Sequence, residues 1–288
     1  MRDGCHLRLE TACEKVLWSE ASPLPGFSVE SSAQVAQELA RITPFLLGQI
    51  WVAGTFIGKI RALTHSPSLQ FALISALDLF FYPEELLPVP IQALLTGSVT
   101  EILNRAKSAK DEGIQTAKLK IGGLKKEEIG PLLAEITPHF RLRIDANRMW
   151  RSEELAEIFV AYLSKIDYTE ELLIPGIPQA IDESLRDGSQ NSAIWIVKPT
   201  LGMAPLFVEE RPRTILSSSY ESEIGLFHIA RLRQRLKISD PAGIDTYRFL
   251  SGTILPLRAK KGYLIFPDAN KMSQLADEYH TLHSSLSY

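Results

Sequence analysis

Short apolar segments alternate with longer amphipathic segments through the middle of this chain. The predicted elements, in order, are strand 91–95, helix 100–112, strand 117–121, helix 125–135, strand 142–144 and helix 152–164. Regular alternation of strands with helices favours parallel strands joined by crossover helices. The middle of the chain is therefore predicted to be an α/β domain of the TIM-barrel type.

The spacing changes after Glu170. Asp182 follows Glu170 by 12 positions, Lys198 follows Asp182 by 16, and Ser217 follows Lys198 by 19. A crossover between parallel strands takes about a dozen residues even with its helix included, and the link 171–179 contains two prolines. The outer helices in this half are expected to be very short or absent, above all between Glu170 and Asp182.

Both ends of the chain lack the alternation seen in the middle. Residues 4–20 predict two short strands, 28–39 and 69–81 predict helices, and the chain from residue 253 onward is irregular and amphipathic. A proline-rich stretch at 85–92 indicates a junction between domains.

These patterns together predict an α/β fold with two domains. The first is a modified TIM-type (β/α) barrel at 89–252 with shortened late crossovers. The second is an α+β domain built from both chain ends, 1–88 and 253–288, so that the C-terminal segment returns to the N-terminal part.

Composition narrows the class of protein. The chain has 288 residues and a net charge of −3, from 31 basic and 34 acidic residues, which gives no sign of a nucleic-acid or membrane-surface partner. The two cysteines, Cys5 and Cys13, are better explained as free thiols than as a disulfide. The first 20 residues are charged throughout, unlike a secretory signal, and the most apolar stretch, 69–82, is too short to span a membrane. We therefore expect a cytoplasmic protein.

Charged residues stand at the carboxyl ends of several successive apolar strands. Because the carboxyl ends of the strands in a parallel barrel surround one mouth, these side chains are expected to meet there. Each residue alone is more simply explained as a surface charge, and only the ordered set argues for a site. The set consists of Lys118, Lys120, Asp145, Glu170, Asp182 and Lys198.

Lys118 and Lys120 are two residues apart on one strand, so their side chains face the same way. Two ammonium groups this close repel each other, which lowers the pKa of at least one, and partial burial acts in the same direction. A lysine with a lowered pKa can act as a base near neutral pH. Taken alone, a Lys-x-Lys pair would be a solvated pair on an edge strand.

Asp145, Glu170 and Asp182 would repel one another if they met at one point, and a bound Mg²⁺ would relieve that repulsion. Lys198 follows an apolar run, where an unpaired lysine is poorly solvated unless it serves a site. A divalent metal that holds a carboxylate while a lysine moves the proton alpha to it would use all of these groups. The serine-rich stretch 217–222 offers either a carboxylate-binding site or a simple helix cap.

The motifs KLK (118–120), RIDANRMW (143–150), TEE (169–171), DES (182–184) and VKP (197–199) together resemble the enolase superfamily and, within it, the o-succinylbenzoate synthase family of menaquinone biosynthesis. The loop SEASPLPGFSVES near the N-terminus resembles that family's mobile capping loop, so the domain built from both chain ends would be the capping domain. The resemblance covers nearly the whole chain.

The resemblance implies a role for each matching residue. Asp145, Glu170 and Asp182 would bind Mg²⁺, with Mn²⁺ as a possible substitute. Lys120 would remove the alpha proton and then protonate the departing hydroxyl, Lys118 would assist by its charge, and Lys198 would stabilise the enediolate. The substrate, a small carboxylate, would be surrounded by Arg143, Asn147, Ser217 and the backbone of Gly243.

The implied reaction is the loss of water from 2-succinyl-6-hydroxy-2,4-cyclohexadiene-1-carboxylate to give 2-succinylbenzoate. Two other activities stay open. An N-acylamino acid racemase would use the same lysines as opposed bases. A dipeptide epimerase is disfavoured because Asp245 is followed by Thr246 and Tyr247 rather than by an Asp-x-Asp pattern. A barrel that binds without catalysis is the remaining alternative.

Overall fold

A computed structural model describes residues 3–182, 193–208 and 210–284. Its centre is a curled sheet of seven parallel strands in sequential order. The strands are β4 (Gln92–Leu95), β5 (Thr116–Lys120), β6 (Arg141–Asp145), β7 (Ile166–Glu170), β8 (Gln179–Asp182), β9 (Ile194–Val197) and β10 (Arg213–Leu216). The predicted parallel α/β architecture is thus confirmed.

A short eighth segment connects the two edges of this sheet. Gly243 forms a parallel bridge with Ser217, directly after β10, and Ala242 forms one with Ile91, directly before β4. The amide of Gly243 donates to the Leu216 carbonyl at 2.8 Å, and the Gln92 amide donates to the Ala242 carbonyl at 3.0 Å. The ring is therefore closed by backbone hydrogen bonds from a segment only two residues long.

The first three crossovers carry full outer helices, as their amphipathic pattern predicts. These are α4 (Val99–Asp111), α5 (Lys126–Ile136) and α6 (Ser152–Val160). The helix α4 begins at a capping box, in which Ser98 and Glu101 each satisfy the other's backbone amide. Apolar residues of these helices, such as Ile102, Ile129 and Leu155, are fully buried against the sheet.

The later crossovers are shorter, as the spacing predicts. No helix lies between β7 and β8, where residues 171–178 are irregular apart from bends and one turn at 175–176. A 3₁₀ turn at Ala204–Phe207 is the one helical element described between β9 and β10. The crossover from Asp182 to β9 lies mostly at 183–192, outside the described residues. The shortening ends after β10, because α7 (Glu223–Arg235) is a full helix, and all of its first ten residues are buried.

The chain before the barrel forms an antiparallel pair followed by three helices. The pair consists of β1 (Cys5–Glu10) and β2 (Val16–Ala21), and the helices are α1 (Ser32–Leu46), α2 (Phe56–Leu63) and α3 (Pro67–Phe81). The sequence predicted β1, β2, α1 and α3. The helix α1 starts after a Ser31 cap rather than at residue 28 as predicted, and it runs farther than the predicted end at residue 39. The helix α2 was not predicted.

The chain after the barrel returns in two steps. It first adds β11 (Arg258–Lys260) and β12 (Tyr263–Ile265) to β3 (Val89–Pro90) as a small antiparallel sheet. It then forms α8 (Ala269–Ser284), whose Met272 and Ala276 share an apolar cluster with Trp18 of β2. The domain boundaries at 88 and 252 stay a prediction. Within the described residues, no helix is both long enough and apolar enough to cross a membrane.

Candidate active site

The carboxyl ends of the parallel strands surround a pocket of about 640 Å³. Strand alternation explains its lining: on β5, Ala117 and Leu119 face the outer helices and are fully buried, so Lys118 and Lys120 face the barrel interior. The strand register places Lys120 beside Asp145 and Asp145 beside Glu170. All six charged residues predicted to meet at the mouth line this pocket, namely Lys118, Lys120, Asp145, Glu170, Asp182 and Lys198.

Lys118 is the buried cation at the base of the pocket. Its Nζ lies 2.7 Å from Glu170 Oε2 and 2.9 Å from Asp145 Oδ2. Burial alone would lower the pKa of Lys118, but the charges of Glu170 and Asp145 outweigh it and raise the pKa. Lys118 therefore stays charged and holds the two carboxylates together.

Lys120 has the opposite electrostatics. Its Nζ lies farther from a carboxylate, 4.0 Å from Asp145 Oδ2. Burial, followed by repulsion from Lys118, lowers the pKa of Lys120, and Lys198 adds to this effect. Of the two lysines, Lys120 is thus the one whose pKa is lowered, as expected for one member of the pair.

Burial has different consequences for the pKa values of the carboxylates in this pocket. Burial raises the pKa of Glu170 despite the charge of Lys118. For Asp145 the effect of burial is reversed by Lys118, by Lys120 and by a hydrogen bond from the Asn147 amide, so its pKa is lowered. Asp182 is in direct contact with the ammonium of Lys198.

The donor set fits a hard divalent cation, which takes oxygen ligands. Asp145, Glu170 and Asp182 are all buried, and Glu170 Oε1 has no hydrogen-bond partner among the described groups. A buried carboxylate oxygen without a partner is costly, and a cation would satisfy it. Within the described part of the chain, no three acidic, histidine or cysteine side chains converge closely enough to hold a metal as they stand. Lysines, Lys118 and Lys198, pair with these carboxylates instead.

Three of the four predicted substrate-binding residues line the pocket: Asn147, Ser217 and Gly243. Asn147 adopts a left-handed backbone conformation with φ of 48°, from which its amide donates to Asp145 Oδ1 at 3.0 Å. A side chain at Gly243 would place its Cβ 2.5 Å from Ser217 Oγ. Glycine is therefore required at this position for the close approach of the closing segment to β10.

Arg143 differs from the prediction. It is 1% exposed and is not among the pocket's lining residues. The register sets Arg143 beside Lys118, one layer below the Lys120–Asp145 level. Its guanidinium donates to Asp167 at 3.1 Å and to Asp240 at 2.8 Å, among other acceptors. This placement gives Arg143 a role inside the barrel and does not support a contact with substrate.

Several lining residues were not predicted. Leu24, Gly26 and Phe27, from the loop that resembles the capping loop, lie over the mouth. Arg148 lines the rim and pairs with Glu171, with 3.0 Å between Nε and Oε1. The sequence could have indicated Arg148 and Glu171, since each directly follows a predicted site residue.

Ser219 is a further unpredicted residue of the lining. It is 2% exposed, and its hydroxyl is buried without a partner among the described groups. It lies within the serine-rich stretch singled out from the sequence, next to Ser217 and Ser218. The stretch thus supplies both a helix cap, through Ser222, and part of the pocket wall.

Curated relatives and solved structures resemble this chain, although no family model matches it. A curated relative from Enterobacter sp. (strain 638), named o-succinylbenzoate synthase, is 29% identical over 289 aligned positions, which cover 88% of this chain and 86% of the relative.

Two solved structures share the fold. The L-Ala-D/L-Glu epimerase from Bacillus subtilis superposes with a TM-score of 0.75 at 16% identity, covering 93% of this chain and 89% of the epimerase. The o-succinylbenzoate synthase from Thermosynechococcus elongatus BP-1, complexed with Mg in its active site, superposes with a TM-score of 0.65 at 21% identity, covering 96% and 92%.

The curled parallel barrel flanked by an α+β part is a fold that this chain shares with solved structures described as members of the enolase superfamily. The predicted resemblance to o-succinylbenzoate synthases is confirmed by curated relatives that carry this name, at 28–29% identity.

Proposed function

We propose that this protein is an o-succinylbenzoate synthase: it removes water from 2-succinyl-6-hydroxy-2,4-cyclohexadiene-1-carboxylate to form 2-succinylbenzoate, a step of menaquinone biosynthesis. The observation that carries the proposal is the set of three lysines and three buried carboxylates around one pocket. The curated relatives named for this activity support the choice of substrate.

In this proposal Asp145, Glu170 and Asp182 hold one Mg²⁺. When bound, the ion would neutralise the substrate's ring carboxylate and so make the neighbouring C–H bond more acidic. The partnerless Glu170 Oε1 supports this assignment. Lys118 would then keep Asp145 and Glu170 in place by its two short contacts.

Lys120 is the proposed base. Its lowered pKa increases the fraction of neutral amine near pH 7. It would take the proton alpha to the carboxylate and return a proton to the departing hydroxyl, so that one water leaves and the ring becomes aromatic. Lys198 would face the negative charge of the enediolate, where a cation stabilises the transition state more than the substrate.

Asn147, Ser217 and the backbone of Gly243 are proposed to contact the substrate, since they line the same pocket. The loop residues Leu24 and Phe27 add apolar side chains to the pocket wall. Closer packing of this loop over a bound substrate would exclude water and strengthen the electrostatic effects of the lysines.

A second activity, racemisation or epimerisation of an acylated amino acid, is supported by the fold shared with the Bacillus subtilis epimerase. Lys120 and Lys198 would then exchange protons on opposite faces of the substrate. A barrel that binds a carboxylate without reacting is the remaining alternative, and the convergence of three lysines and three carboxylates on one pocket disfavours it.

The test is to incubate the purified protein and Mg²⁺ with the cyclohexadiene acid and to follow 2-succinylbenzoate by its absorbance. N-acylamino acids in D₂O, followed by NMR, form the second arm. Formation of 2-succinylbenzoate supports the proposal. Alpha-proton exchange and turnover of the N-acylamino acids without any 2-succinylbenzoate would overturn it in favour of the racemase.

A further inference from the structure

A second cavity, of about 320 Å³, lies between helices α2, α3 and α7, away from the strand ends. None of its lining residues belongs to the pocket described above. Its wall is mostly apolar and includes Phe56 and Ile57 of α2, Leu232 and Leu236 of α7, and Phe207. A volume of this size is at the lower end of what small-molecule sites have.

Charged groups form the other part of the wall: Arg231, Arg235 and Asp78. Arg235 Nε donates to Asp78 Oδ1 at 2.9 Å, so these two charges offset each other. The charge of Arg231 has no such carboxylate partner at hydrogen-bond distance among the described residues: its two terminal nitrogens donate to the backbone carbonyls of Glu84 and Tyr82.

Arg231 is 7% exposed, and its Nε–H is buried without an acceptor among the described groups. Burial lowers the pKa of Arg231, yet a guanidinium stays charged in a protein. A buried charged donor without a partner costs more than a neutral one. Asp78 and Glu84 act on Arg231 only through the field of their charges, so a carboxylate in the cavity would supply the missing acceptor.

We propose that this cavity binds a small monocarboxylate with a compact apolar body. The carboxylate would accept from Arg231, and the apolar body would lie against Phe56, Ile57 and Phe207. A dianion is disfavoured, because two guanidiniums and one aspartate leave a single net positive charge. The inference does not depend on the reaction at the other pocket.

The probe is phenylacetate, with phenylacetamide as a neutral control of the same shape. Thermal unfolding is followed for the whole chain in EDTA, so that metal-assisted binding at the strand ends is excluded. We expect phenylacetate at millimolar concentration, about 10 to 100 times its Kd, to raise the unfolding midpoint by a few degrees. Phenylacetamide should give less than a third of that shift.

Two variants locate the effect. Ser75→Leu fills the cavity from α3 while leaving both carbonyl contacts of Arg231 intact, and it should abolish the shift. Lys198→Ala disturbs the strand-end pocket and should still show the shift with phenylacetate. Folded Arg231→Gln should lose the shift. Equal shifts with acid and amide, no shift at all, or a shift lost in Lys198→Ala but kept in Ser75→Leu would each overturn the proposal.

Discussion

At the scale of single residues, two lysines on one strand have opposite electrostatics because of a small difference in distance. Lys118 Nζ is within 3 Å of two carboxylates, whereas Lys120 Nζ is 4.0 Å from one. The first pKa is raised and the second is lowered. The division of labour proposed here, with one lysine as a fixed cation and the other as a base, follows from that difference.

Lys120→Ala should reduce kcat/KM for dehydration by at least about 10²–10⁴-fold, the typical contribution of one positioned base. The variant should fold, because Lys120 makes no hydrogen bond below 3.5 Å to a carboxylate. Steady-state assays of 2-succinylbenzoate formation measure the loss. Lys107→Ala, an exposed lysine on α4, is the matched control. A loss of less than tenfold in Lys120→Ala would assign the base elsewhere.

Asp182→Asn should weaken Mg²⁺ binding and lower activity while leaving the fold intact, since the amide retains an acceptor for Lys198. Isothermal titration with Mg²⁺ and circular dichroism check the two halves of this prediction. In the parent protein, activity should disappear in excess EDTA and return with added Mg²⁺. Full activity in EDTA would contradict the proposed role of all three carboxylates.

At the scale of elements, the sequence predicts most of the barrel. The early crossovers are long enough to show helical periodicity, and the missing helix between β7 and β8 follows from the count of residues alone. The helix α2 was missed because eight residues give too few turns for a clear pattern. The strands β3, β11 and β12 were missed because two or three residues carry no periodicity, and their pairing is non-local.

The candidate site shows the same division. The positions of the motifs predict which side chains face the barrel interior, because side chains alternate along a strand. They do not show how far below the strand ends a side chain makes its contacts. Arg143 was therefore placed with Asp145, although it lies one layer lower. The acceptors that hold Arg143 there include Gln92 of β4 and Asp240 in the connection after α7, and both are remote from Arg143 in sequence.

One element, α7, is held at its N-terminus by a carboxylate from a distant strand in addition to its own Ser222 cap. Glu20 of β2 is buried and accepts from the amides of Ser222, at 2.9 Å, and Gly225, at 3.1 Å. A carboxylate at a helix N-terminus is favourable both as an acceptor and through the helix dipole. Glu20 thus fixes β2 to the helix that follows the serine-rich wall of the pocket.

Glu20→Ala should destabilise the protein by about 2–3 kcal/mol, because it leaves buried amide donors without a charged acceptor. Urea unfolding at neutral pH measures the change. Glu20→Gln, which keeps an acceptor, should lose less. Glu10→Ala, on the exposed part of the neighbouring strand β1, should change stability by no more than about 0.5 kcal/mol. Equal effects at Glu10 and Glu20 would refute the capping role.

At the scale of the whole molecule, α7 carries several of the contacts that join the N-terminal elements to the barrel. Glu20 binds its first turn, His228 in its middle contacts the Trp18 carbonyl of β2, and Arg231 near its end binds the carbonyls of Tyr82 and Glu84. Loss of these contacts would separate the capping loop from the strand ends, so the stability of this interface bears directly on the proposed activity.

His228 makes that interface sensitive to acid. Its Nε2 lies 2.7 Å from the Trp18 carbonyl, to which it donates, and burial lowers the pKa of His228 to about 4. An unfolded chain titrates near 6.5. Protons therefore bind the unfolded state first as the pH falls, so stability is complete above about pH 6.5 and is lost progressively down to about pH 4. The difference of about 2.5 pH units corresponds to roughly 3 kcal/mol.

His228→Gln, which cannot take up the proton, should flatten the dependence of the unfolding free energy on pH across this window by about that amount. Urea unfolding at several pH values measures this dependence. His65→Gln, at an exposed histidine, should leave the slope as in the parent, and an unchanged slope in His228→Gln would show that other groups govern the loss of stability in acid.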